Sequence, residues 1–355
     1  MVHRSSAAPI LGATTIINAA TAATAKAHTM PPALDPLADI SADPNADTIT
    51  AAAARIAPHV RETPLWRLPG SALGLPAGTP PCEVWLKLEH LQRSGSFKAR
   101  GMFNRMLSNP IPQAGVIAAS GGNAGIATAL AAQALGVRAE VFVPRVISPA
   151  KRDKLAALGA QVVIAGDVYA DALLACEARQ RETGALLLHA YDQPEVVAGA
   201  GTLAREIEAQ AGTPDAVLVS VGGGGLIAGI AAWFAGRCRV VALEPELAPT
   251  LHRAREAGTP VDVAVSGIAA DALGARRIGA IAWRVTQQQV AQAVLLNDAA
   301  IRAAQRFLWT ELKLAVEPAA ALPLAALQSG AIRPRAGETL CLIVCGANLD
   351  VTTLA

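Results

Sequence analysis

The chain predicts an α/β protein made of two open, parallel-type α/β domains that share a cleft. Three observations predict it. From Val116 onward short apolar runs alternate with helix-length segments, the pattern of parallel strands joined through helices. Several of those strands run straight into a glycine-rich turn that opens a helix. Neither a repeat of solenoid spacing nor a long linker separates the parts, so the two domains lie against each other rather than standing as separate modules. The expected division is a large domain of residues 46–114 and 191–355 and a small one of residues 115–190.

Taken in order, Thr48 to Val60 carries alanines with Ile49, Ile56 and Val60 and reads as a helix closed before Thr63-Pro64. After a Pro- and Gly-rich loop, Pro69 to Pro81, the alternation of Val84, Leu86 and Leu88 marks a strand from Glu83. Ser96 stands where it could cap a helix through Arg100, Met102, Phe103 and Met106. Then follow strand Val116 to Ala119, turn Ser120 to Gly122, helix Asn123 to Leu135 closed by Gly136, strand Glu140 to Val143, helix Pro149 to Leu158, strand Gln161 to Ile164 and helix Tyr169 to Arg181. Leu186 to His189 leads through a loop, Ala190 to Pro194, into helix Val196 to Gln210. Strand Ala216 to Val221 enters Gly222-Gly223-Gly224-Gly225 and a helix from Leu226 to Ala235, and strand Val240 to Leu243 ends at Glu244-Pro245. Helices at Pro249 to Ala257, Asp298 to Leu312 and Ala319 to Gln328 precede a last strand, Thr339 to Val344, and the turn Cys345 to Asn348.

Composition excludes several function classes. Thirty basic against 28 acidic residues leave a net charge of +2, so nothing points to nucleic acid or to an acidic membrane surface. Aromatics are 3% of the chain, too few for a base-stacking platform. The cysteines, Cys82, Cys176, Cys238, Cys341 and Cys345, have neither even pairing nor metal-ligand spacing, as expected of reduced thiols in the cytoplasm. Ser5 to Ala25 carries no charge and follows His3-Arg4, as in a signal peptide, yet it lacks a compact leucine-rich block. Residues 1–45 read instead as a disordered extension or a wrongly assigned start, with Met30 as an alternative initiator. No other stretch is apolar and long enough to cross a bilayer.

The chemistry gathers in four loops. Only six of the thirty basic residues are lysines, and Lys98 lies in Ser94-Gly95-Ser96-Phe97-Lys98-Ala99-Arg100-Gly101, beside Phe97 and a helix start. Apolar neighbours and a positive helix end lower a lysine's affinity for its proton and make it a better nucleophile. Four glycines between a buried strand and a helix are costly in chain entropy unless the backbone must approach something closely. The amides of Gly222 to Gly225 would form an anion nest suited to a phosphate, although a turn that merely packs helix on sheet reads the same way. Leu226-Ile227 stands where a triphosphate loop has its lysine and hydroxyl, and the spacing fits the dinucleotide fingerprint poorly. Ser120-Gly121-Gly122-Asn123-Ala124 repeats the strand, turn and helix design, with amides suited to a carboxylate; capping by Ser120 or Asn123 would explain the same residues. Cys345 ends a strand in the same manner, so the three turns gather at the carboxyl ends of parallel strands.

Together these motifs resemble the pyridoxal-phosphate-dependent serine/threonine dehydratases of the tryptophan-synthase-β-like fold. The resemblance rests on Leu88-Glu89 through Gly101, Ser120 to Gly125, Val221 to Leu226, Glu244-Pro245, Glu317-Pro318 and Cys345 to Asn348, in family order from about residue 48 onward. It implies that Lys98 holds the cofactor as a Schiff base beside Phe97, that Asn123 bonds the ring hydroxyl, that Gly222, Gly223, Gly224, Gly225 and Leu226 hold the phosphate, and that Cys345 faces the pyridine nitrogen. The large domain would then bind the cofactor and the small one the substrate. The carboxylate of L-serine or L-threonine would sit on Ser120, Gly121, Gly122, Asn123 and Ala124, with Lys98 taking the Cα proton and pyruvate or 2-oxobutyrate and ammonia leaving. A thiol at the ring nitrogen would not keep it protonated, which suits prompt loss of a β-substituent.

The resemblance also sets expectations by departure. Racemases of the family place a serine directly before the Gly-Asn pair, where Gly121 stands here, so elimination is favoured. Threonine and cysteine synthases usually carry a hydroxyl residue after the asparagine, where this chain has Ala124. Eliminations on hydroxyaspartate or diaminopropionate, a non-catalytic ligand-binding descendant, and a nicotinamide enzyme remain alternatives. Some members bind a divalent cation through the glutamate of a Glu-Pro pair and an aspartate six residues on; Glu244 is present but Thr250 replaces the aspartate, so no metal is expected. Asp271 and Glu317 are further cleft candidates. The family is usually dimeric, and a homodimer is expected.

Overall fold

The computed structural model describes residues 43–354. In chain order the first elements are α1 (Ala46–Ile56), β1 (Leu65–Pro69), β2 (Glu83–Lys87), α2 (Lys98–Leu107), β3 (Val116–Ala119), α3 (Asn123–Leu135), β4 (Ala139–Val143), α4 (Pro149–Ala157), β5 (Gln161–Ile164), α5 (Tyr169–Thr183) and β6 (Leu186–Leu187). There follow α6 (Pro194–Ala211), β7 (Ala216–Ser220), α7 (Gly225–Phe234), β8 (Arg239–Pro245), α8 (Thr250–Ala257), α9 (Ala280–Gln289), β9 (Val290–Leu296), α10 (Asp298–Thr310), α11 (Pro318–Gln328) and β10 (Thr339–Ile343).

The strands form two sheets. One has six strands in the order β1-β2-β10-β7-β8-β9, and the other four in the order β5-β4-β3-β6. Every pairing is parallel except β1 with β2. Strands buried on both faces need apolar residues throughout, and β3, β4 and β7 are buried along their whole length. The α/β class expected from strand and helix alternation is the class observed. The last strand, β10, lies between β2 and β7, so its carboxyl end falls in the middle of the large sheet.

Most predicted elements stand within a few residues of their expected bounds. Two strands and a helix escaped: β1, β9 and α9. β1 is an edge strand paired on one side, antiparallel, with an exposed Trp66 and Arg67, and so shows no alternation. α9 starts after Gly279 without a local side-chain cap. Its first amides are instead bonded by the carboxylate of Asp192, Ala280 N at 2.8 Å and Ile281 N at 3.0 Å. Residues 1–42 of the expected extension lie outside the described residues. Asp43 to Asn45 belong to the fold, since Asp43 pairs with Arg284 and the Asn45 side chain caps α1.

The helix that carries Lys98 is tied down by buried charge. Arg100 places Nε and Nη2 on the two carboxylate oxygens of Glu89 at 2.8 and 2.6 Å, and Nη2 also meets Glu206 at 2.9 Å. Lys87 completes the set, 2.6 Å from Glu206. Two cations against two carboxylates leave no net charge in the interior, and removal of one partner would strand another. Apolar burial of Met102, Phe103 and Met106 fixes the same helix from its other side.

Candidate active site

Lys98 is the first residue of α2, and the Ser94 to Phe97 loop delivers it to the carboxyl end of β10. Phe97 N donates to Cys345 O at 3.1 Å, and Ser96 bridges Gly346 as an isolated antiparallel pair. The expectation that Ser96 caps this helix is corrected here. The N-cap is Phe97, with no side-chain bond, and the buried Ser96 hydroxyl has no hydrogen-bond partner among the described residues. Pairing with Gly346 turns the Ser96 backbone into a strand contact, which places its side chain outside reach of the helix amides.

The amine of Lys98 donates to Ala190 O at 2.6 Å and sits 5.0 Å above the Phe97 ring. Burial lowers it to about 8, with Cys345 and Glu317 opposing. Burial likewise pushes the Cys345 thiol well above its usual range. A small cavity is lined by Phe97, Lys98, Ala190, Tyr191 and Gly225, so the lysine and the tetraglycine turn, 127 residues apart in sequence, share one space.

The tetraglycine turn presents its carbonyls to the protein. Gly222 O accepts from the Thr250 hydroxyl at 2.6 Å, Gly223 O from Gly279 N at 3.0 Å, and Gly224 O from Ala228 N at 3.0 Å. In a trans peptide the next N–H points the opposite way, so the amides of Gly223, Gly224 and Gly225 face away from those partners. No side chain caps α7, and Gly224, at φ +86°, lies in the left-handed region. A Cβ on Gly223 would fall 2.3 Å from the Tyr191 ring, and one on Gly224 2.5 Å from Ala282 Cβ. Packing alone therefore already demands glycine at these positions. Leu226 is buried in the first turn of α7.

The second turn belongs to the small sheet. Ser120 Oγ accepts from Gly122 N at 3.3 Å, and the N-cap of α3 is Gly122, again without a side-chain bond. Capping of α3 by Ser120 or Asn123 is thus excluded. Gly121 packs on Ile147, where a Cβ would lie 2.9 Å from its Cδ1, and a Cβ on Gly122 would approach Asp271 O at 3.5 Å. Ala124 is buried in the first turn of α3. Asn123 reaches across to the large sheet, its Nδ2 at 2.9 and 3.0 Å from the two oxygens of Glu317.

Burial, with Asp271 adding, raises Glu317 to about 7, while the Asn123 amide, the Asn348 backbone and Lys151 act against the rise. Glu244 is also raised to about 7 by burial, opposed by bonds from Leu251 N at 2.7 Å, His252 N at 2.8 Å and the Thr250 hydroxyl. Its carboxylate thereby occupies the amino end of α8, with Thr250 standing between it and Gly222.

Several residues of the site were not singled out in sequence. His189 lies beside Lys98, its Nδ1 accepting from Asp192 N at 2.9 Å, and burial holds its imidazole below the usual range. Tyr191 stands edge-on to His189 and covers Gly223. Tyr191 sits in the stretch read as a plain loop, and His189 at the end of the strand read before it. The available signal was a histidine, an aromatic and an acid within four residues directly after a strand.

A family model for pyridoxal-phosphate dependent enzymes matches residues 56–346. The chain belongs to that family and is a pyridoxal-phosphate-dependent enzyme. Among its relatives is the phenylserine dehydratase of Ralstonia pickettii, 36% identical over 330 residues that cover 89% of this chain and 97% of the relative. A solved threonine deaminase from T.th. superposes with a TM-score of 0.79 at 38% identity, over 86% of this chain and 99% of that one. Maize serine racemase gives 0.81 at 30% identity, over 88% and 96%.

Proposed function

We propose that this enzyme eliminates water from a β-hydroxy-α-amino acid, converting L-serine to pyruvate or L-threonine to 2-oxobutyrate with release of ammonia. The observation that carries the reading is the small cavity lined by both the buried Lys98 and Gly225 of the tetraglycine turn. Pyridoxal phosphate, when bound, supplies the electron sink for the Cα carbanion. Lys98 would hold it through Nζ beside Phe97, the amides of Gly223 to Gly225 with Gly222 and Leu226 would hold its phosphate, Asn123 its ring hydroxyl, and Cys345 its ring nitrogen. The donor set fits: the turn's carbonyls are committed elsewhere, its amides are uncapped, and the amine is lowered toward neutrality.

The substrate carboxylate would rest on the turn from Ser120 to Ala124, at the uncapped start of α3. Lys98 would take the Cα proton, since its buried amine, lowered to about 8, is partly unprotonated at neutral pH. Gly121, pressed against Ile147, carries no second acid for the opposite face. Elimination is therefore expected to exceed racemisation, and purified enzyme should form no more than traces of D-serine from L-serine by chiral chromatography.

The phenylserine dehydratase and threonine deaminase relatives support loss of a β-hydroxyl. Residues 46–114 with 191–355 would act as the cofactor-binding domain and 115–190 as the substrate-side domain, a division that follows the two sheets. We place the enzyme in the cytoplasm as a homodimer. The free state of its five cysteines is in keeping with a reducing compartment, and none of the described helices is long and apolar enough to cross a membrane. The dimer rests on the family resemblance and is tested by light scattering.

The deciding experiment mixes the purified protein with pyridoxal phosphate, records the visible absorbance, and assays keto acid and ammonia from serine, threonine, phenylserine, hydroxyaspartate and diaminopropionate. Colour with ammonia release from a β-hydroxy amino acid is the expected result. Colour without turnover of any of the five, or an active Lys98→Ala protein with the same spectrum, would remove the reading.

A further inference from the structure

Asn123 does not stand alone between the two sheets. Lys154 Nζ, on the exposed face of α4, donates to Asn348 Oδ1 at 2.6 Å. Asn348 Nδ2 donates in turn to Ser94 O at 2.9 Å and to Asn123 Oδ1 at 2.6 Å. Asn123 Nδ2 then donates to Glu317, 2.9 and 3.0 Å from its two oxygens. An ammonium can only donate and an ionised carboxylate can only accept, whereas a carboxamide does both and can be turned either way. The two ends therefore decide the sense of the two amides in the middle, and the Ser94 carbonyl decides it again for Asn348. Asn348 spends both amide hydrogens on Ser94 and Asn123. A single hydrogen of Asn123 pointing between the Glu317 oxygens satisfies both distances, which leaves one N–H unassigned.

The backbone is shaped to this chain of bonds. A Cβ on Gly346 would lie 2.3 Å from Glu317 Oε1, and one on Gly95, at φ +78°, 2.7 Å from Asn348 Oδ1. Gly95 lies in the loop that precedes Lys98 and Gly346 pairs with Ser96 of that loop, so the relay is packed directly on the segments that place the lysine.

We propose that Lys154 and Glu317 are positioning residues: as the donor and acceptor ends of a one-way hydrogen-bond relay, they fix the Asn123 carboxamide so that its remaining N–H is presented to the ring oxygen of the cofactor. The inference rests on the reading that Asn123 faces the cofactor ring.

Cofactor attachment is tested first, by the visible absorbance of wild type with pyridoxal phosphate and its loss in Lys98→Ala, and the reading of Asn123 next, by Asn123→Ala, in which an unchanged dissociation constant and absorbance maximum would remove that reading. The relay is then tested at pH 8, where Glu317 is ionised, by titrating cofactor-free protein with pyridoxal phosphate and recording the dissociation constant and absorbance maximum. Loss of a hydrogen bond to a charged group is expected to weaken binding about tenfold in Glu317→Leu, with a shifted maximum, and about threefold in Lys154→Met. Glu317→Gln, which keeps an acceptor, should stay within about threefold of wild type. In an Asn123→Ala background Glu317→Leu should add less than about twofold, because the group it positions is gone. An equal loss with and without Asn123 would show a merely structural role and overturn the proposal. Should Glu317→Leu fail to fold, Lys154→Met at an exposed position decides alone: wild-type affinity and spectrum in that variant would overturn the relay.

Discussion

Two strand, turn and helix units meet at the cleft, and they are held in different ways. The turn between β7 and α7 is locked by its own side of the molecule. Its carbonyls are bonded to Thr250, Gly279 and Ala228, and Tyr191 and Ala282 fill the space where side chains would stand. The turn between β3 and α3 reaches the other side through polar links, Asn123 to Glu317 and Asn348, with Lys151 to Asp271 and Lys154 to Asn348 joining from α4. Close packing has one low-energy arrangement, whereas the exposed links from Lys151 and Lys154 can be exchanged for water. On the proposed function the first unit would serve as a fixed cradle and the second as a substrate-side jaw free to move.

The largest expected effect comes from Lys98, which shares its cavity with Gly225 of the first unit. Lys98→Ala should lower turnover by at least about 10³-fold and abolish the visible absorbance, with the fold intact by circular dichroism. The pH dependence of cofactor uptake comes next. If, as proposed, Lys98 bonds the cofactor, only its neutral amine can do so, and burial lowers that amine to about 8, so the rate of colour gain by cofactor-free protein should rise about tenfold from pH 7 to 9. A flat profile over that range would mean that the amine is not the titrating nucleophile.

Matched glycine substitutions sharpen the comparison itself. Gly223→Ala forces Cβ into the Tyr191 ring, and overpacking of this kind costs about 1–3 kcal/mol, measurable by urea denaturation. Gly121→Ala meets the far end of Ile147, which can turn away, and should cost less than about 1 kcal/mol. Equal losses would contradict the contrast between a locked and a yielding turn. The smallest change is expected from Asp271→Asn, which breaks an ion pair between partly exposed groups and should alter stability by under about 1 kcal/mol. Its effect, if the jaw moves, is read in KM and its salt dependence, with kcat little changed.

The parts of the site, though not the contrast between them, were legible in the sequence. Lys98, the tetraglycine turn and the Cys345 turn are local motifs, and each depends on residues next to one another in the chain. The relations that were not legible are contacts between distant segments. Asp192 capping α9 acts across 88 residues, and Glu317 on Asn123 across 194; no periodicity or spacing records either. Ser96 shows the converse failure, because a good local capping residue was diverted into a bridge with Gly346. β1 and β9 escaped for another reason: both lie at the edges of the six-stranded sheet, paired on one side, and neither has the fully buried apolar run of the inner strands.

The position of β10 bears on how the molecule is made. β3 to β6 come from one continuous stretch, so the four-stranded sheet can assemble while the rest of the polypeptide is still being synthesised. The six-stranded sheet has no such freedom, since β2 and β7 are bridged by a strand that begins at Thr339. Until that strand has been made, two apolar strand edges stand open, and a chain that stopped before Thr339 would lack the centre of the sheet rather than its margin.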